Sequence, residues 1–282
     1  MTRLVAAVIA AFLSLLPVYA QKDAAPPDIL QISRDPVKPG KLAEYSKVET
    51  QAAEACYKAG IWPYFAVQSI TGPKETWFVS GFETYDAMEN SSEPFYRNPE
   101  VGSELGRLME AKATLVSEPT TIFLRYREDL GRNSGLVRPG TRYLTVTWTR
   151  VIPGHASEFE DSQRTIRSVR ERAGASDNRV VYQVTSGIPS NLYLTFSPFH
   201  TFHDAAQSLD GLLDHDDLDD GTRGKLRELT SDSVASTETF IFVFSPEMSN
   251  PAGEWVADDP EFWKSSPPLQ RHAAPAPPKP GH

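Results

Sequence analysis

Alternating apolar and polar residues along short stretches of the chain predict β-strands. In residues 28–34, Leu30 and Ile32 point to one face of the strand. Gln31 and Ser33 point to the other face. The same alternation, or a short apolar run bounded by turn residues, predicts the remaining strands. They span residues 64–70, 76–82, 121–127, 143–150, 179–185, 192–196 and 239–244.

Two longer segments repeat apolar residues every three or four positions, which predicts amphipathic helices. Residues 42–59 carry Tyr45 on the apolar stripe, and residues 156–173 carry Phe159 in the matching place. Each segment ends at a glycine, a common signal for the C-terminal end of a helix. These glycines are Gly60 and Gly174. Shorter helices are predicted over residues 84–88 and 104–116, with a polar loop over residues 90–99 between them.

One nine-residue pattern occurs twice in the chain. VKPGKLAEY, at residues 37–45, returns as VIPGHASEF at residues 151–159. Further matched residues follow in the same order in both halves. The number of residues between the two members of a pair grows steadily along the chain. The matched pairs are Gly40 and Gly154, Gly72 and Gly187, Phe82 and Phe199, and Gly106 and Gly224, which lie 114, 115, 117 and 118 residues apart. Chance similarity would not drift in one direction, so we infer an internal duplication.

Each half therefore has the order β-α-β-β-α-β, which is typical of a ferredoxin-like unit. The predicted class is α+β, with two tandem ferredoxin-like repeats packed sheet to sheet. Residues 28–244 resemble the dimeric α/β-barrel superfamily in a fused, two-copy form. That resemblance implies a monomer with an internal pseudo-dimer, whose further oligomerisation the sequence leaves open. The expected parts are a signal peptide at 1–20, repeats at 21–130 and 131–246, and a proline-rich tail at 247–282.

The alternation also predicts which side chains line a space between the two sheets. Leu30, Ile32, Leu144 and Val146 are expected to pack under the helices. The opposite face would bind a small molecule, since it mixes aromatic and polar groups as ligand sites often do. Its predicted residues are Gln31, Ser33, Phe78, Ser80, Thr145, Thr147, Tyr193 and Thr195. An ordinary packed core with a few satisfied hydroxyl groups is the alternative.

Charge and cysteine content restrict the partners. The net charge is −9 with a pI near 5.2, and Lys and Arg form no cluster. Nucleic acid and anionic membrane surfaces are therefore not expected as partners. Cys56 is the only cysteine, so no disulfide forms within the chain. We expect Cys56 to pack in the core rather than to act as a reactive thiol.

The two ends of the chain differ in character from the middle. Arg3, an apolar run over residues 4–16 and the small-residue pattern at residues 18–20 predict a signal peptide cleaved after Ala20. The run is short for a membrane anchor. We therefore expect a secreted or periplasmic protein that is not in the membrane after cleavage. The last fifteen residues should be disordered, and Trp255, Phe262 and Trp263 would strap the segment before them onto the domain.

Metal sites were considered at two places. His200 and His203 lie at a predicted helix start and could approach one metal, with Asp204 or Asp210 as a third ligand. The first half has no histidine at the matching positions, and such polar residues often cap helices. An EF-hand starting at Asp216 fails because Leu218 and Arg227 occupy ligand positions. No metal is predicted.

No cofactor or catalytic motif stands out either. The chain has no G-x-S-x-G sequence. The superfamily that it resembles also includes haem-binding enzymes, and haem would need an axial histidine inside the barrel. No histidine lies on a predicted strand, which disfavours haem but leaves it as an alternative. The leading hypothesis is an exported protein that binds a small organic ligand between its sheets, with no cofactor. The superfamily resemblance implies a second hypothesis, a cofactor-free monooxygenase or isomerase using the same cavity. A third is a structural or interaction module.

Overall fold

Eight antiparallel strands form a closed barrel in the computed structural model, which describes residues 25–131, 135–172, 178–209 and 220–263. The strand order around the barrel is β1-β3-β2-β8-β5-β7-β6-β4. The strands are β1 (Ile29–Pro36), β2 (Phe65–Ser69), β3 (Glu75–Phe82), β4 (Thr120–Tyr126), β5 (Tyr143–Val151), β6 (Val180–Ser186), β7 (Leu192–Phe199) and β8 (Val234–Phe244).

Nine helices in the described residues connect the strands or follow them. They are α1 (Leu42–Lys58), α2 (Tyr85–Asn90), α3 (Glu93–Arg97), α4 (Pro99–Ala113), α5 (Ala156–Arg172), α6 (Phe202–Gln207), α7 (Asp220–Ser233), α8 (Gly253–Asp258) and α9 (Pro260–Trp263). A short 3₁₀ helix, Pro246–Met248, precedes α8. The α+β class predicted from the sequence is confirmed.

The strands of each half of the chain are neighbours in the barrel. The first half gives the order β4-β1-β3-β2, and the second gives β8-β5-β7-β6. The two sets join edge to edge through the pairs β2–β8 and β4–β6. They therefore meet by hydrogen bonds at their edges and also face each other across the interior.

The interior of the barrel is an apolar core made by alternate residues of all eight strands. Its fully buried members include Leu30, Ile32, Phe65, Val67, Trp77, Val79, Ile122, Leu124, Leu144, Val146, Val180, Tyr182, Leu194, Phe196, Phe242 and Phe244. The prediction that Leu30, Ile32, Leu144 and Val146 pack under the helices is therefore wrong. Alternation separates the two faces of a strand, but it does not say which face is inside. In a closed barrel the inner face is the drier one and takes the large apolar side chains.

The helices pack on the outer face of the barrel. Tyr45 of α1 is fully buried in a cluster with Ala66 of β2 and Phe78 of β3. In the second half, the ring of Phe159 on α5 lies 4.7 Å from that of Tyr193 on β7. The matching stripes predicted for α1 and α5 are thus the faces that bury against the sheet.

A helix replaces part of the loop that the sequence predicted before α4. Helix α3 occupies Glu93–Arg97, and α4 begins at Pro99 rather than near residue 104. The side chain of Asn98 accepts hydrogen bonds from the backbone N–H groups of Glu100 and Val101. Asn followed by Pro is a strong helix start. The Asn side chain accepts from the first backbone N–H groups, which have no partner within the helix, and Pro has no N–H group to leave unpaired.

The C-terminal helices close one end of the barrel. Trp263 is 3% exposed and belongs to the interior cluster. Its ring lies 6.5 Å from that of Phe244, the last residue of β8. Trp255 reaches Phe65, the first residue of β2, at 6.0 Å. The predicted strapping of these aromatic residues onto the domain is confirmed.

Two glycines allow tight turns between the middle strands of each half. Gly72 has φ 77° and Gly187 has φ 95°, conformations that other residues rarely adopt. A Cβ atom on Gly72 would lie 2.5 Å from the ring of Phe240. One on Gly187 would overlap the backbone oxygen of Thr121. Only glycine fits either turn.

Several sequence predictions fall outside the described residues. They are the signal peptide at 1–20, the helix end at Gly174, the acidic stretch at 214–219, Asp210 and the tail beyond residue 263. Among the helices that the structure describes, none is both long and apolar enough to cross a membrane.

Candidate functional site

A pocket opens at the end of the barrel opposite the C-terminal helices. It lies where β1, β2 and β5 end and where β3 begins, and antiparallel pairing brings these strand ends together. Its volume is about 110 Å³. The lining residues are Arg34, Ser69, Thr71, Pro73, Glu75, Trp77, Trp148, Glu238, Phe240 and Phe242. The pocket therefore combines aromatic walls with a few charged groups.

An ion pair between Arg34 and Glu75 forms one wall of the pocket. Arg34 donates from Nε to Oε2 of Glu75 at 2.9 Å and from Nη2 to Oε1 at 2.8 Å. The indole N–H of Trp77 donates to the same Oε2 at 2.7 Å. The Glu75 side chain is only 8% exposed, and that of Arg34 is 21% exposed. Two-pronged pairing of this kind fixes the orientation of both side chains.

Two tryptophan rings hold the guanidinium group of Arg34. Its Cζ atom lies 4.6 Å from the ring centroid of Trp148 and 5.3 Å from that of Trp77. The two ring centroids are 5.8 Å apart, and Trp77 also packs on Phe242 at 4.5 Å. Cation–π contacts gain strength where water is excluded, so the rings and the ion pair form one rigid unit.

Trp148 differs from Trp77 in one respect. Its indole nitrogen is buried, and within the described part of the chain it has no hydrogen-bond partner. A buried donor without a partner costs about 1–3 kcal/mol.

The charges at the pocket are unequal. Arg34 and Glu75 offset each other, while Glu238 is exposed and adds a second carboxylate to the lining. The sum over these three side chains is one negative charge. The pocket is therefore not suited to an anion.

Solved structures match the chain over most of its length. A candidate monooxygenase from Fusobacterium nucleatum subsp. nucleatum ATCC 25586 has a TM-score of 0.51 and 14% identity, covering 78% of this chain and 93% of its own. An anthrone oxidase-like protein has a TM-score of 0.52 and 12% identity, covering 79% and 93%. The fold is that of the dimeric α/β barrels. A chlorite dismutase mutant from Candidatus Nitrospira defluvii has a TM-score of 0.48 and 9% identity, covering 79% and 92%.

At such identities the likeness of this chain to its neighbours concerns the fold alone. No protein-family model matches the chain, and no curated protein is significantly similar to it in sequence. The chemistry of the site has to be argued from its own residues.

The eight residues predicted to bind a ligand lie on the outer face of the barrel. Phe78 packs in the cluster around Tyr45 of α1, and Tyr193 donates from its hydroxyl to Glu160 of α5 at 2.7 Å. Thr147 shares a hydrogen bond with Thr239 at 2.9 Å. Gln31, Ser33, Ser80, Thr145 and Thr195 share this face by alternation with inward residues. The predicted orientation toward a space between the sheets is wrong, because the inward face is the other one. None of the eight lines the pocket, and their part in binding stays a prediction.

The residues that line the pocket were not predicted from the sequence. Arg34 is an even number of residues from Leu30 and Ile32 on β1, so its side chain points to the same inner face of the strand. Trp148 is likewise an even number of residues from Leu144 and Val146 on β5, whose side chains also lie inside. A charged residue in line with core residues, at the end of a strand, was the available signal.

A second polar cluster lies on the other side of β1, beneath α1 and α4. Nζ of Lys112 lies 2.9 Å from Oδ2 of Asp35 and 3.3 Å from Oε1 of Glu49. The hydroxyl of Tyr45 donates to Asp35 at 2.8 Å. Burial raises the pKa of Glu49. Burial alone would lower the pKa of Lys112, but the charges of Glu49 and Asp35 outweigh it and raise that pKa. Two carboxylates thus share one ammonium group.

Of the two histidines that could approach a metal, only His200 contacts the neighbouring backbone among the hydrogen bonds of the described residues. Nδ1 of His200 hydrogen-bonds the backbone oxygen of Gly140, and His203 is exposed. Thr201 caps α6 by accepting from the N–H of Asp204. Within residues 25–131, 135–172, 178–209 and 220–263, no three His, Cys, Asp or Glu side chains group around a metal position.

Cys56 packs beside the apolar cluster of Ala52 and Leu108 between α1 and α4. Burial raises the pKa of its thiol to about 11. A thiol with such a pKa is protonated at neutral pH and is a poor nucleophile. The prediction that Cys56 packs in the core is confirmed.

Proposed function

We propose that this protein binds a small organic molecule in the pocket at the mouth of its barrel. The observation that carries the proposal is the difference between the two ends of the barrel. Trp263 and its neighbours fill one end, whereas the other keeps a space of about 110 Å³ walled by Trp77, Trp148 and Phe240. Concave sites with aromatic walls and a few fixed polar groups are typical of small-molecule binding.

The rigidity of the pocket supports the same proposal. Arg34, Glu75 and Trp77 form a connected set of hydrogen bonds with the walls already in place. A site that is formed before binding does not spend binding energy on ordering its side chains.

The test uses a residue at the rim. Glu238 is exposed and lines the pocket, so Glu238→Trp places a ring across the opening at little cost in stability. Glu238→Gln is the matched control, because it removes the charge and keeps the size. A library of one-ring compounds is screened against the purified protein by ligand-observed NMR. Compounds that bind the wild type and the Gln variant should lose binding to the Trp variant; equal binding to all three would refute the proposal.

The second candidate is a monooxygenase that uses the same pocket without a cofactor. Its support is that two structural neighbours with TM-scores above 0.5 are named as a candidate monooxygenase and as an anthrone oxidase-like protein. Both oxygens of Glu75 are already engaged by Arg34 and Trp77, so Glu238 is the freer carboxylate to accept a proton from a phenol. Oxygen uptake with 4-methoxyphenol, and loss of uptake in Glu238→Gln, would favour the enzyme.

We also propose that the chain is exported and that residues 1–20 act as the signal. The support is the sequence pattern alone: Arg3, the apolar run and the small residues before Gln21. Expression in a bacterium followed by fractionation and N-terminal sequencing tests it. A mature protein beginning at Gln21 in the periplasm or medium is expected, and an uncleaved protein in the cytoplasm would refute it.

We infer, finally, that the barrel consists of two copies of a ferredoxin-like unit. The support is the shared order of elements and the two strand sets, which occupy the barrel in the same order. Helix caps agree as well: Thr84 accepts from the N–H of Ala87, and Thr201 does so from that of Asp204. The two threonines lie 117 residues apart, as do Phe82 and Phe199.

A further inference from the structure

We infer that Arg34 recognises the ligand of the barrel-mouth pocket through the unpaired edge of its guanidinium group, and that the ligand is a small neutral molecule with a carbonyl oxygen. This inference rests on the proposed function of the same pocket. It adds the residue that selects the ligand and the chemical class that this residue selects.

Arg34 reaches across the mouth of the barrel. Three strands separate β1 from β5 in either direction around the barrel, so these two strands stand opposite each other. The Arg34 side chain starts on β1, and its Cζ atom lies 4.6 Å from the ring centroid of Trp148 on β5. The guanidinium group therefore lies well inside the ring of strands, where a molecule that enters the mouth meets it.

One edge of this guanidinium group is unpaired. An arginine side chain carries five N–H donors in a planar fork. Nε and Nη2 donate to Glu75, whereas Nη1 has no hydrogen-bond partner among the described residues. Nη1 is not sealed from solvent, in contrast to the indole nitrogen of Trp148, and the Arg34 side chain is 21% exposed. Because Arg34 points into the barrel and lines the pocket, the donors of this edge are open to the mouth.

The orientation of this edge is fixed before a ligand arrives. Cζ of Arg34 lies 4.6 Å from the ring centroid of Trp148 and 5.3 Å from that of Trp77, and the two centroids are 5.8 Å apart. Rings on opposite sides of Cζ would have centroids much farther apart, so both rings lie to one side of the group. The two-pronged pair with Glu75 sets the direction of the fork. A donor that is already oriented costs a ligand little ordering entropy.

Other polar groups of the lining are already engaged by the protein. Ser69 donates to the backbone oxygen of Pro73 at 2.6 Å and accepts from the N–H of Glu75 at 3.0 Å. Thr71 accepts from the N–H of Ile241 at 2.9 Å. Hydrogen bonds from a charged donor are stronger than those from a neutral one. Arg34 therefore offers a ligand the strongest donors of the pocket.

The surrounding charge decides between a neutral and an anionic acceptor. Glu75 offsets the charge of Arg34, and Glu238 adds a second carboxylate at the rim. A carboxylate ligand would meet this excess of negative charge, whereas a neutral carbonyl oxygen accepts from Nη1 without that penalty. The aromatic walls formed by Trp77 and Phe240 suit an apolar remainder of the molecule. The pocket thus fits a small ketone, aldehyde or amide with an apolar body.

Three planar probes of nearly the same shape test the inference: acetophenone, α-methylstyrene and benzoate. They differ in the group attached to the ring, which is a neutral acceptor, an apolar group or an anion. Dissociation constants are measured by ligand-observed NMR with the full-length mature protein. We expect acetophenone to bind about tenfold more tightly than α-methylstyrene, the ratio that one hydrogen bond from a partly exposed charged donor provides. Benzoate should bind more weakly than acetophenone.

Two double variants assign the preference to Arg34. Arg34→Met/Glu75→Gln removes the guanidinium group without leaving an unpaired carboxylate, and the ratio of the two neutral probes should fall to about one. Arg142→Met/Asp259→Asn is the matched control at the other end of the barrel. There Arg142 donates to Asp259 at 2.7 Å, and its Cζ atom lies 3.9 Å from the ring centroid of Phe262. This control removes the same kind of pair outside the pocket and should keep the preference for acetophenone.

A measurement on the wild type does not depend on how well the variants fold. In protein labelled with ¹⁵N at arginine, acetophenone should shift the Nη resonances of one arginine, because its oxygen accepts from that group. α-Methylstyrene should shift them much less, since it has no acceptor. Equal shifts with the two probes, or no shift with either at saturation, would overturn the inference.

The outcomes separate this inference from the proposed function. Equal binding of acetophenone and α-methylstyrene to the wild type would overturn the inference while leaving a binding pocket in place. So would tightest binding by benzoate, or an unchanged ratio in Arg34→Met/Glu75→Gln. If none of the three probes binds, or Glu238→Trp binds them as well as the wild type does, the proposed pocket fails and the inference fails with it.

Discussion

The guanidinium carbon of Arg34 lies 4.6 Å from the ring centroid of Trp148, although the two residues belong to different halves of the chain. Arg34 stands six positions before Gly40, and Trp148 stands six positions before Gly154. Residues at matching positions of the two halves therefore meet inside the barrel. One half contributes the cation and the other contributes the ring that it contacts.

Removing only one partner of the ion pair in the pocket should lower the free energy of unfolding. Arg34→Met leaves Glu75, which is 8% exposed, without its cation. We expect a loss of about 3 kcal/mol in the free energy of unfolding, since an uncompensated buried charge costs more than the pair contributes. Urea unfolding of Arg34→Met and of Arg34→Met/Glu75→Gln measures it. The double variant should be the more stable of the two; a double variant that is less stable would contradict this account.

The outer face of the barrel should not tolerate added bulk. Thr145 is 5% exposed and points away from the interior of the barrel, and it is not among the residues that line the pocket. Thr145→Trp should therefore cost about 1–3 kcal/mol or more through overpacking. Thr145→Val, which keeps the volume, is the control and isolates the loss of the hydroxyl. A Trp variant as stable as the wild type would place an empty space on the outer face.

The polar cluster beneath α1 should make stability depend on pH in a defined direction. Burial raises the pKa of Glu49 in the folded state above its ordinary value of about 4.5. Between the unfolded and folded pKa values the folded state binds more protons, so the contribution of Glu49 to stability falls as pH rises through this window. At pH values below both pKa values, Glu49 is protonated in the folded and in the unfolded state, so this loss of stability is absent.

Glu49→Gln isolates this effect, because it keeps the shape of the side chain and cannot ionise. The free energy of unfolding of the variant, minus that of the wild type, should increase as pH rises above about 4.5 and then level off. Urea unfolding at several pH values between 4 and 8 measures this difference. A difference that falls with rising pH would show that Lys112 stabilises the ionised Glu49 more than burial destabilises it.

The C-terminal helices should contribute to the stability of the barrel through Trp263. This side chain is 3% exposed against Phe244, and Asp259 holds the segment by accepting from Arg142 at 2.7 Å. Trp263→Ala should cost about 3–5 kcal/mol, as for other large aromatic residues removed from a core. Glu254→Ala, an exposed change in α8, is the control and should lie within about 0.5 kcal/mol of the wild type. A small effect of Trp263→Ala would mean that the barrel end closes without it.

Neither half should fold alone as a monomer. A fragment of residues 21–135 would lose the hydrogen bonds of β2 to β8 and of β4 to β6, and its apolar inner face would meet water. Exposed strand edges of this kind pair with other chains. Light scattering should show a homodimer or aggregate, and a stable monomer with a cooperative melt would contradict the barrel account.

The sequence predicted the order of elements well because the two halves repeat the same signals. Gly72 and Gly187 mark turns that only glycine can form, and Tyr45 and Phe159 mark the buried stripes of α1 and α5. Such local requirements appear directly in the sequence, and their repetition strengthened the prediction of the order of strands and helices.

The faces of the strands could not be assigned in the same way. Strands of this barrel are covered on both sides, so β3 places Phe78 outside and Val79 inside, and both are apolar. Period-two alternation then gives two faces without saying which is inner. The position of the pocket depends on that choice. Leu30, Ile32, Leu144 and Val146 were expected under the helices, so the residues in line with them, Arg34 and Trp148, were not predicted to line a ligand site.

The most direct measurement of the binding claim is a crystal structure of the protein soaked with 4-bromoacetophenone, in which bromine marks the ligand by its anomalous signal. The account predicts a single strong bromine peak at the barrel mouth near Glu238. A peak on the outer face of the barrel, beside Thr145 or Tyr193, would contradict it, as would full ligand occupancy anywhere else with this pocket left empty.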